Sequence, residues 1–288
     1  MEIIRDPGDI RSVVHRLRVH HGLPIGFAPT MGALHEGHLS LIRALRREGY
    51  LPIASIFVNP IQFGPGEDFE RYPRPFAQDC ALLEAEGVAC LFAPTAERMY
   101  RADHTVFVEE EQITRGLCGA RRPGHFRGVA TVVLKLFHLI GPDAAAFGRK
   151  DAQQARLIEK MIEDLNLPIR LLICPIVREA DGLAMSSRNR YLGPEARRQA
   201  LCLIEGLRQA KTAYEQGERQ AERIRAMVAD AIARQPLARL DYAEVVDWKT
   251  MQPVSVMGPA TLLAVAAWVD QTRLIDNLWI TPDGVPVL

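Results

Sequence analysis

The amino-acid sequence predicts an α/β protein with a doubly wound, mostly parallel sheet, followed by a smaller C-terminal α+β domain. Over the first 175 residues, short apolar runs alternate with amphipathic helical patterns, which is typical of a parallel sheet covered by helices on both faces. From about Val177 onward, two long helical patterns precede a run of strands. The 288 residues suffice for two modest domains, which we expect at 1–175 and 176–288.

The elements of the first domain follow from apolar periodicity. After a short amphipathic helix at 9–20, the strands are expected at 23–28, 51–58, 88–93, 105–109, 143–147 and 169–174. The intervening helices are expected at 39–48, 69–87, 129–139 and 152–165. Parallel sheets bind ligands at the carboxyl ends of their strands, so polar residues directly after these strands are the candidate site residues.

The second domain is expected to hold two long helices, at 194–216 and 218–235, and then three strands, at 240–246, 262–267 and 272–280. This succession of helices and then strands favours an α+β arrangement.

Composition limits the classes of function. Lys+Arg and Asp+Glu both number 35, and this zero net charge argues against a nucleic-acid binder that relies on bulk positive charge. No apolar run approaches a membrane span, and the N-terminus lacks the pattern of a signal peptide. The five cysteines, an odd number without a CxxC pair, predict free thiols in a reducing compartment. We therefore expect a cytoplasmic protein with a small-molecule ligand and neither nucleic-acid nor membrane partners.

The segment 28–41, APTMGALHEGHLSL, joins a buried strand to a helix through a glycine-containing turn. His35 and His38 lie three residues apart at the start of that helix, on neighbouring positions of one face. A helix N-terminus offers unpaired N–H groups and about half a positive charge, and imidazoles add donors for phosphate oxygens. The spacing alone also fits a polar helix cap or half of a zinc site, although no cysteine or acidic cluster completes the latter.

Three more stretches place polar groups after apolar runs. Phe57 to Gly64 contains Asn59 and Gln62, whose amides donate and accept hydrogen bonds, although NP alone is typical of a turn. Phe147 to Gln154, FGRKDAQQ, offers a lysine for phosphate and an aspartate that either caps a helix or binds a ribose hydroxyl. The segment 178–189, READGLAMSSRN, fits a phosphate clamp or a polar loop between domains.

Taken in order, these four stretches resemble the signatures of the pantothenate synthetase (pantoate–beta-alanine ligase) family. Its HxGH core is similar to that of the wider nucleotidyltransferase superfamily. LDYAEVVD at 240–247 and TRLIDN at 272–277 extend the resemblance over essentially the whole length. The resemblance implies a Rossmann-like fold and an ATP-dependent condensation of pantoate with beta-alanine through a pantoyl adenylate. It also implies Mg2+ as the companion of ATP, and a homodimer.

The resemblance assigns the catalytic roles to His38, His35 and Lys150, with His38 as the expected proton donor. It assigns ATP binding to Met31, Gly32, Ala33, Leu34, His35, Glu36, Gly37, His38, Gly148, Arg149, Lys150, Asp151, Val177, Met185, Ser186, Ser187 and Arg188. Pantoate and beta-alanine fall to Gln62 and Gln154, with Asn59 assisting, and Asp79 is a candidate contact for Mg2+.

Two features of the resemblance concern the loops. The segment 185–188, MSSR, is similar to the KMSKS loop of class I aminoacyl-tRNA synthetases, and the C-terminal domain is expected to act as a lid. Many family members have glutamate where this chain has Arg149, and we expect that side chain to face solvent without changing the chemistry.

Two other functions stay open from the sequence. The first is a nucleotidyltransferase that stops at an activated nucleotidyl product, which would accumulate without an amine. The second is a nucleotide-binding regulatory protein, which would bind ATP without forming AMP.

Overall fold

The computed structural model describes all 288 residues, which form two compact units. The first unit comprises 1–111, 122–149 and 157–175, and the second comprises 112–121, 150–156 and 176–288. The second unit therefore includes two short segments from the part of the chain that precedes residue 176. The functional division at residue 175 stays a prediction.

The first unit contains a six-stranded parallel sheet. Its strands are β1 (Glu2–Ile4), β2 (Ile25–Thr30), β3 (Leu51–Ile56), β4 (Cys90–Phe92), β5 (Ala144–Gly148) and β6 (Arg170–Cys174), in the order β1-β4-β3-β2-β5-β6. The chain builds outward from β2 through β3 to β4, and then continues on the other side of β2 with β5. This reversal between β2 and β5 confirms the doubly wound prediction and marks the point where such sheets bind ligands.

Ten α-helices accompany the two sheets. They are α1 (Pro7–His21), α2 (Glu36–Arg47), α3 (Phe76–Ala85), α4 (Ala96–Met99), α5 (Leu117–Arg121), α6 (His125–Ile140), α7 (Ala152–Asp164), α8 (Pro194–Ala200), α9 (Cys202–Glu215) and α10 (Ala221–Ala233). None of them is both long enough and apolar enough to cross a membrane.

The amphipathic face of α2 is fixed to the sheet by Leu41, Ile42 and Leu45, which are buried in the same core as Ala28 of β2 and Ala146 of β5. Burying each such side chain contributes about 1.5–3 kcal/mol, so these contacts hold α2 against the sheet.

Two predicted elements of the first unit differ from the structure. The helix expected at 69–87 begins only at Phe76, because Pro73 and Pro75 disfavour helical backbone before them. The strand expected at 105–109 is wrong, since that segment has no strand. There the Val108 N–H instead donates to the Thr131 hydroxyl at 2.9 Å.

The second unit contains an antiparallel sheet of β7 (Ala238–Asp247), β8 (Thr261–Val269), β9 (Thr272–Ile280) and β10 (Pro286–Val287), in the order β10-β9-β8-β7. Its core joins Leu207 and Ile224 of the helices to Leu263 and Val265 of the sheet, all fully buried. The predicted α+β arrangement is confirmed, although the helix expected at 194–216 is divided at Leu201.

Side-chain contacts join the segment 112–121 to the rest of this unit. The Cys118 thiol lies 3.2 Å from the Tyr242 hydroxyl on β7, across 124 residues of sequence. The Gln153 side chain accepts from the Cys118 N–H at 3.0 Å and donates to the carbonyls of Ile113 and Gly116 at 2.9 Å each. All five cysteines are free, and four of them are buried, as the cysteine pattern predicts.

Candidate active site

The turn between β2 and α2 has an unusual backbone. Gly32 and Ala33 adopt left-handed φ angles of +81° and +51°. A side chain at position 32 would place its Cβ 3.0 Å from a carboxylate oxygen of Asp79 and from Ile56 Cγ2. Glycine is required there both by the φ angle and by this close approach.

Asp79, on α3, fixes the shape of the turn. Its carboxylate is 1% exposed and accepts the N–H groups of Ala33 and Leu34 at 2.8 Å each, one on each oxygen. The sequence suggests a magnesium contact here, but with both oxygens accepting from the backbone the geometry gives Asp79 a structural task. No group of three or more His, Cys, Asp or Glu side chains is arranged to hold a metal ion.

His35 and His38 cap α2 reciprocally. His35 is the N-cap residue and its Nδ1 accepts the Gly37 N–H at 3.2 Å, while His38 Nδ1 accepts the His35 N–H at 3.3 Å. Because both Nδ1 atoms accept, each neutral ring carries its proton on Nε2. The ring centroids lie 4.1 Å apart. The cap therefore fixes two imidazoles side by side, each with an Nε2–H donor.

Gln62 follows β3 in the 3₁₀ turn Pro60–Gln62 and its side chain is held in a chain of hydrogen bonds. The Tyr100 hydroxyl donates to Asn59 Oδ1 at 2.9 Å, and Asn59 Nδ2 donates to Gln62 Oε1 at 3.1 Å. Gln62 Nε2 in turn lies 3.1 Å from Met31 Sδ in the histidine turn. Asn59 is 1% exposed, and its amide also donates to the Gly128 carbonyl at 3.1 Å. Asn59 thus orients Gln62.

The backbone of Gln62 is contacted by His125, the first residue of α6. His125 Nδ1 lies 2.9 Å from the Gln62 carbonyl, and Arg122 Nη1 donates to His125 Nε2 at 3.0 Å. Since Arg122 is a donor only, Nε2 accepts and the His125 proton resides on Nδ1. Arg122 also pairs with both carboxylate oxygens of Glu67, at 2.7 and 2.6 Å.

The pKa of Glu67 reflects its ion pair with Arg122. Burial raises the pKa of Glu67, but the hydrogen bonds and charge of Arg122 outweigh it and lower the pKa overall.

At Gly128, a Cβ would lie 2.5 Å from the Ile61 carbonyl oxygen, so only glycine lets α6 approach the 3₁₀ turn this closely.

Strand β5 ends at Gly148, beside β2 in the sheet. The carboxyl ends of β2, β3 and β5 therefore bring the histidine turn, Gln62 and Gly148 to one edge of the first unit. Arg149 follows Gly148 and is only 5% exposed, so the expectation that its side chain faces solvent is wrong.

The other predicted ATP ligands belong to the second unit. Lys150 lies in the 3₁₀ turn Arg149–Asp151, and its Nζ lies 3.7 Å from Asp151 and donates to the Met185 carbonyl at 3.4 Å. Gln154, the predicted pantoate ligand, is half-buried in the first turn of α7.

Residues 177–185 form a short hairpin. The Met185 N–H donates to the Val177 carbonyl at 3.0 Å, and Arg178 pairs with Ala184 through an antiparallel bridge. Beyond the hairpin, the Ser186 hydroxyl accepts the Arg188 N–H at 3.2 Å and caps a 3₁₀ turn that begins at Ser187, which is buried.

A salt-bridge cluster anchors this hairpin. Arg197 on α8 donates to both oxygens of Glu179 at 3.1 and 2.8 Å and to Asp181 at 2.7 Å. Asn189 Nδ2 donates to Glu179 at 2.6 Å and to the Ala184 carbonyl at 3.1 Å. The MSSR segment therefore follows a hairpin that these contacts hold in place.

The sequence did not identify Tyr100, which lies far from Asn59 in the chain and donates a hydrogen bond to it. The basic, glycine-containing turn 121–128, which includes Arg122 and His125, is similar to a family run that shapes the pocket, but nothing in it indicates the contact of His125 with the Gln62 carbonyl. A different pair, Asp276–Asn277, can be noticed in the sequence because two polar residues interrupt the apolar strand β9. Both are buried in the structure, and buried polar side chains in a strand indicate specific hydrogen-bond partners.

Comparison with known proteins finds similarity along nearly the whole chain. The family model of pantoate-beta-alanine ligase matches residues 2–279. The chain is 56% identical over 280 residues to a pantothenate synthetase of Acidobacterium capsulatum, covering 94% of each chain. It is 54% identical over 253 residues to a pantothenate synthetase of Thermotoga petrophila, covering 88% of this chain and 90% of the relative.

Solved structures are similar over the same extent. The pantothenate synthetase of Thermus thermophilus is 42% identical with a TM-score of 0.92, covering 98% of this chain and 100% of the other. The pantoate-beta-alanine ligase of Francisella tularensis, complexed with beta-gamma ATP and beta-alanine, is 32% identical with a TM-score of 0.80, covering 97% of each chain.

Proposed function

The chain belongs to the pantoate-beta-alanine ligase family, and from that premise we propose which of its residues carry each step of the reaction. The enzyme condenses pantoate with beta-alanine to give pantothenate, and converts ATP to AMP and pyrophosphate through a pantoyl adenylate.

The reaction needs an adenylate because a carboxylate has no leaving group that an amine can displace at neutral pH. A carboxylate oxygen of pantoate attacks the α-phosphorus of ATP, and the bond from that phosphorus to the bridging oxygen breaks, releasing pyrophosphate. The beta-alanine amine then attacks the acyl carbon, the bond to the AMP oxygen breaks, and the nitrogen loses a proton. Both steps depend on positioning and on stabilising charge at phosphate oxygens.

His35 and His38 supply donors for the first step. Their Nδ1 atoms are occupied by the helix cap, so the Nε2–H groups are the donors that can meet phosphate oxygens as charge develops. Of the pair, His38 is the main hydrogen-bond donor to the reacting phosphate, and its neutral ring keeps the Nε2 proton throughout the step. This reciprocal cap is the observation that carries the proposal, because it fixes both imidazoles before a nucleotide binds.

The β- and γ-phosphates are held by Lys150 together with Ser186, Ser187 and Arg188. The hydrogen bond from Lys150 to the Met185 carbonyl places its ammonium group next to the start of the MSSR segment. The remaining ATP contacts come from Gly148, Arg149, Asp151, Val177 and the histidine turn from Met31 to Gly37. We also propose that the C-terminal domain, 176–288, acts as a lid during the reaction.

Gln62 and Gln154 bind pantoate. The hydrogen bonds from Asn59 and the neighbouring Met31 sulfur fix the Gln62 amide in one orientation, so that it can discriminate a hydroxyl or carboxylate oxygen. Asn59 assists through this orientation of Gln62.

Mg2+ enters with the phosphates of ATP, as part of the substrate. The ion prefers phosphate oxygens and water to an all-protein cage, and the acidic side chains form no cluster that would hold it. We also propose, from the family resemblance, that the enzyme works as a cytoplasmic homodimer, which light scattering on the purified protein would test.

The proposed function is tested by measuring AMP with ATP, pantoate and beta-alanine, omitting each substrate in turn. We expect AMP and pantothenate in equal amounts only in the complete mixture. Accumulation of a stable nucleotidyl product without an amine requirement would contradict ligation, as would ATP binding without formation of AMP.

A further inference from the structure

We propose that Asp276 and Asn277, adjacent on β9, are positioning residues. They hold Lys150, proposed to bind phosphate, in a fixed position relative to the hairpin 177–185 that leads into the MSSR segment. We call these two residues the β9 clamp. The proposal rests on the proposed function, since it assigns a role relative to the ATP phosphates. It is carried by contacts that all lie within the second unit.

One half of the clamp holds the lysine loop. Asn277 Nδ2 donates to the Lys150 carbonyl at 3.1 Å, and the Asn277 side chain is only 1% exposed. A buried amide that donates to a main-chain carbonyl fixes the loop backbone, and therefore fixes the origin of the Lys150 side chain.

The other half holds the hairpin. Arg178 donates from Nη1 and Nη2 to the two oxygens of Asp276, at 2.7 and 3.0 Å, and Nη1 also donates to the Gly182 carbonyl at 3.2 Å. A two-point guanidinium–carboxylate pair fixes direction as well as distance. Asp276 is 3% exposed, so this pair is shielded from solvent.

The two halves are linked to each other. The Asn277 N–H donates to Asp276 Oδ1 at 2.8 Å, and the side chains leave one strand at consecutive positions. The lysine loop and the hairpin also contact each other directly, because Lys150 Nζ donates to the Met185 carbonyl at the end of the hairpin at 3.4 Å. The clamp, the lysine loop and the hairpin therefore close a ring of contacts around the groups proposed to bind the phosphates.

A neighbouring ion pair provides a matched control. Arg273 on β9 donates to Asp241 on β7 at 2.8 and 3.0 Å, and both side chains are largely buried. This pair has the same chemistry and lies in the same sheet, but it contacts neither Lys150 nor the hairpin. Its loss reports the cost of breaking an Arg–Asp pair in this sheet.

The test compares Asn277→Asp and Asp276→Asn with the control Asp241→Asn, in the full chain. Each clamp substitution is expected to lower kcat/KM for ATP by on the order of a hundredfold, because displaced phosphate ligands lose their alignment. The control is expected to stay within about twofold of the wild type. Thermal unfolding confirms folding of each variant, and Asn277→Ala replaces Asn277→Asp if the latter does not fold.

A double-mutant cycle separates positioning from general stability. If Asn277 acts through Lys150, adding Asn277→Asp to Lys150→Ala changes the dissociation constant for ATP by less than about twofold, because the lysine is already absent. Additive effects would overturn the proposal, as would clamp variants equal to the control. Failure of the wild type to form AMP would instead refute the proposed function, so the two failures are distinguishable.

Discussion

The carboxylate of Asp79 accepts the backbone N–H of Leu34 at 2.8 Å, although 45 residues separate them in the sequence. With the matching bond to Ala33, this contact holds a turn whose backbone is left-handed at two successive residues. Such a turn is unfavourable for a chain with side chains, and it persists because the surrounding structure imposes it. The histidine pair is therefore presented by a turn that depends on one buried carboxylate.

Substitution Asp79→Asn is expected to destabilise the protein and weaken ATP binding. The amide group would turn an N–H toward a backbone N–H, which leaves a buried donor without an acceptor and costs about 1–3 kcal/mol. Chemical denaturation measures the loss, and the KM for ATP reports distortion of the turn. Asp164→Asn is the control, because Asp164 is exposed in an i,i+4 pair with Lys160. Equal stability of the two variants would contradict the structural role.

Substitution His38→Ala is expected to slow pantoate-dependent release of pyrophosphate by on the order of a hundredfold or more, because a donor to the developing phosphate charge is lost. Single-turnover kinetics isolate this step from product release. His138→Ala, an exposed position on α6, should leave the rate unchanged. A near-normal rate for His38→Ala would remove this imidazole from the mechanism.

Substitution Tyr100→Phe is expected to raise the KM for pantoate severalfold and to leave the KM for ATP unchanged. The change removes the hydroxyl that orients Asn59, and through it Gln62, without altering the ring. Burial raises the pKa of Tyr100, so the hydroxyl remains a donor throughout the working pH range. Tyr214→Phe, in the second unit, is the control. If both KM values shifted together, the network would not act on pantoate specifically.

Acid is expected to weaken the hairpin anchor. Hydrogen bonds from Arg197 outweigh burial and lower the pKa of Glu179 below 4.5. A carboxyl with a depressed folded-state pKa contributes stability above its unfolded pKa and loses it as the pH falls through the folded value. The stability difference between the wild type and Arg197→Met, on the order of 1 kcal/mol at neutral pH, should therefore shrink below pH 4.5. A pH series of urea denaturation curves measures it, and a constant difference would contradict this assignment.

The sequence predicted the elements whose apolar pattern is strong. Alternating strands and helices were sufficient for the doubly wound sheet, because each buried face leaves a periodic trace along the chain. The strand at 105–109 failed because that segment is held by side chains, such as the Thr131 hydroxyl on the Val108 N–H, which leave no such trace. Prolines at 73 and 75 shortened α3 against an otherwise helical pattern.

The candidate site divides in the same way. Residues within one stretch, such as His35 and His38, could be identified from spacing and from the resemblance of that stretch. The partners of residues that act across the fold could not be identified: Asp79 was expected to contact Mg2+, and nothing near it in the sequence indicates that it meets Leu34. The burial of Arg149 was likewise hidden, because a charged residue in a polar stretch normally lies at the surface.

The interleaving of the two units bears on how the chain is made. The second unit takes up 112–121 and 150–156, so a gene fragment that starts at residue 176 would encode a sheet without the Cys118 partner of Tyr242. During translation, Cys118 cannot make this contact until another 124 residues have been added and Tyr242 has emerged. Contacts of such long range form late, so maturation of the enzyme ends only after its C-terminal strands have left the ribosome.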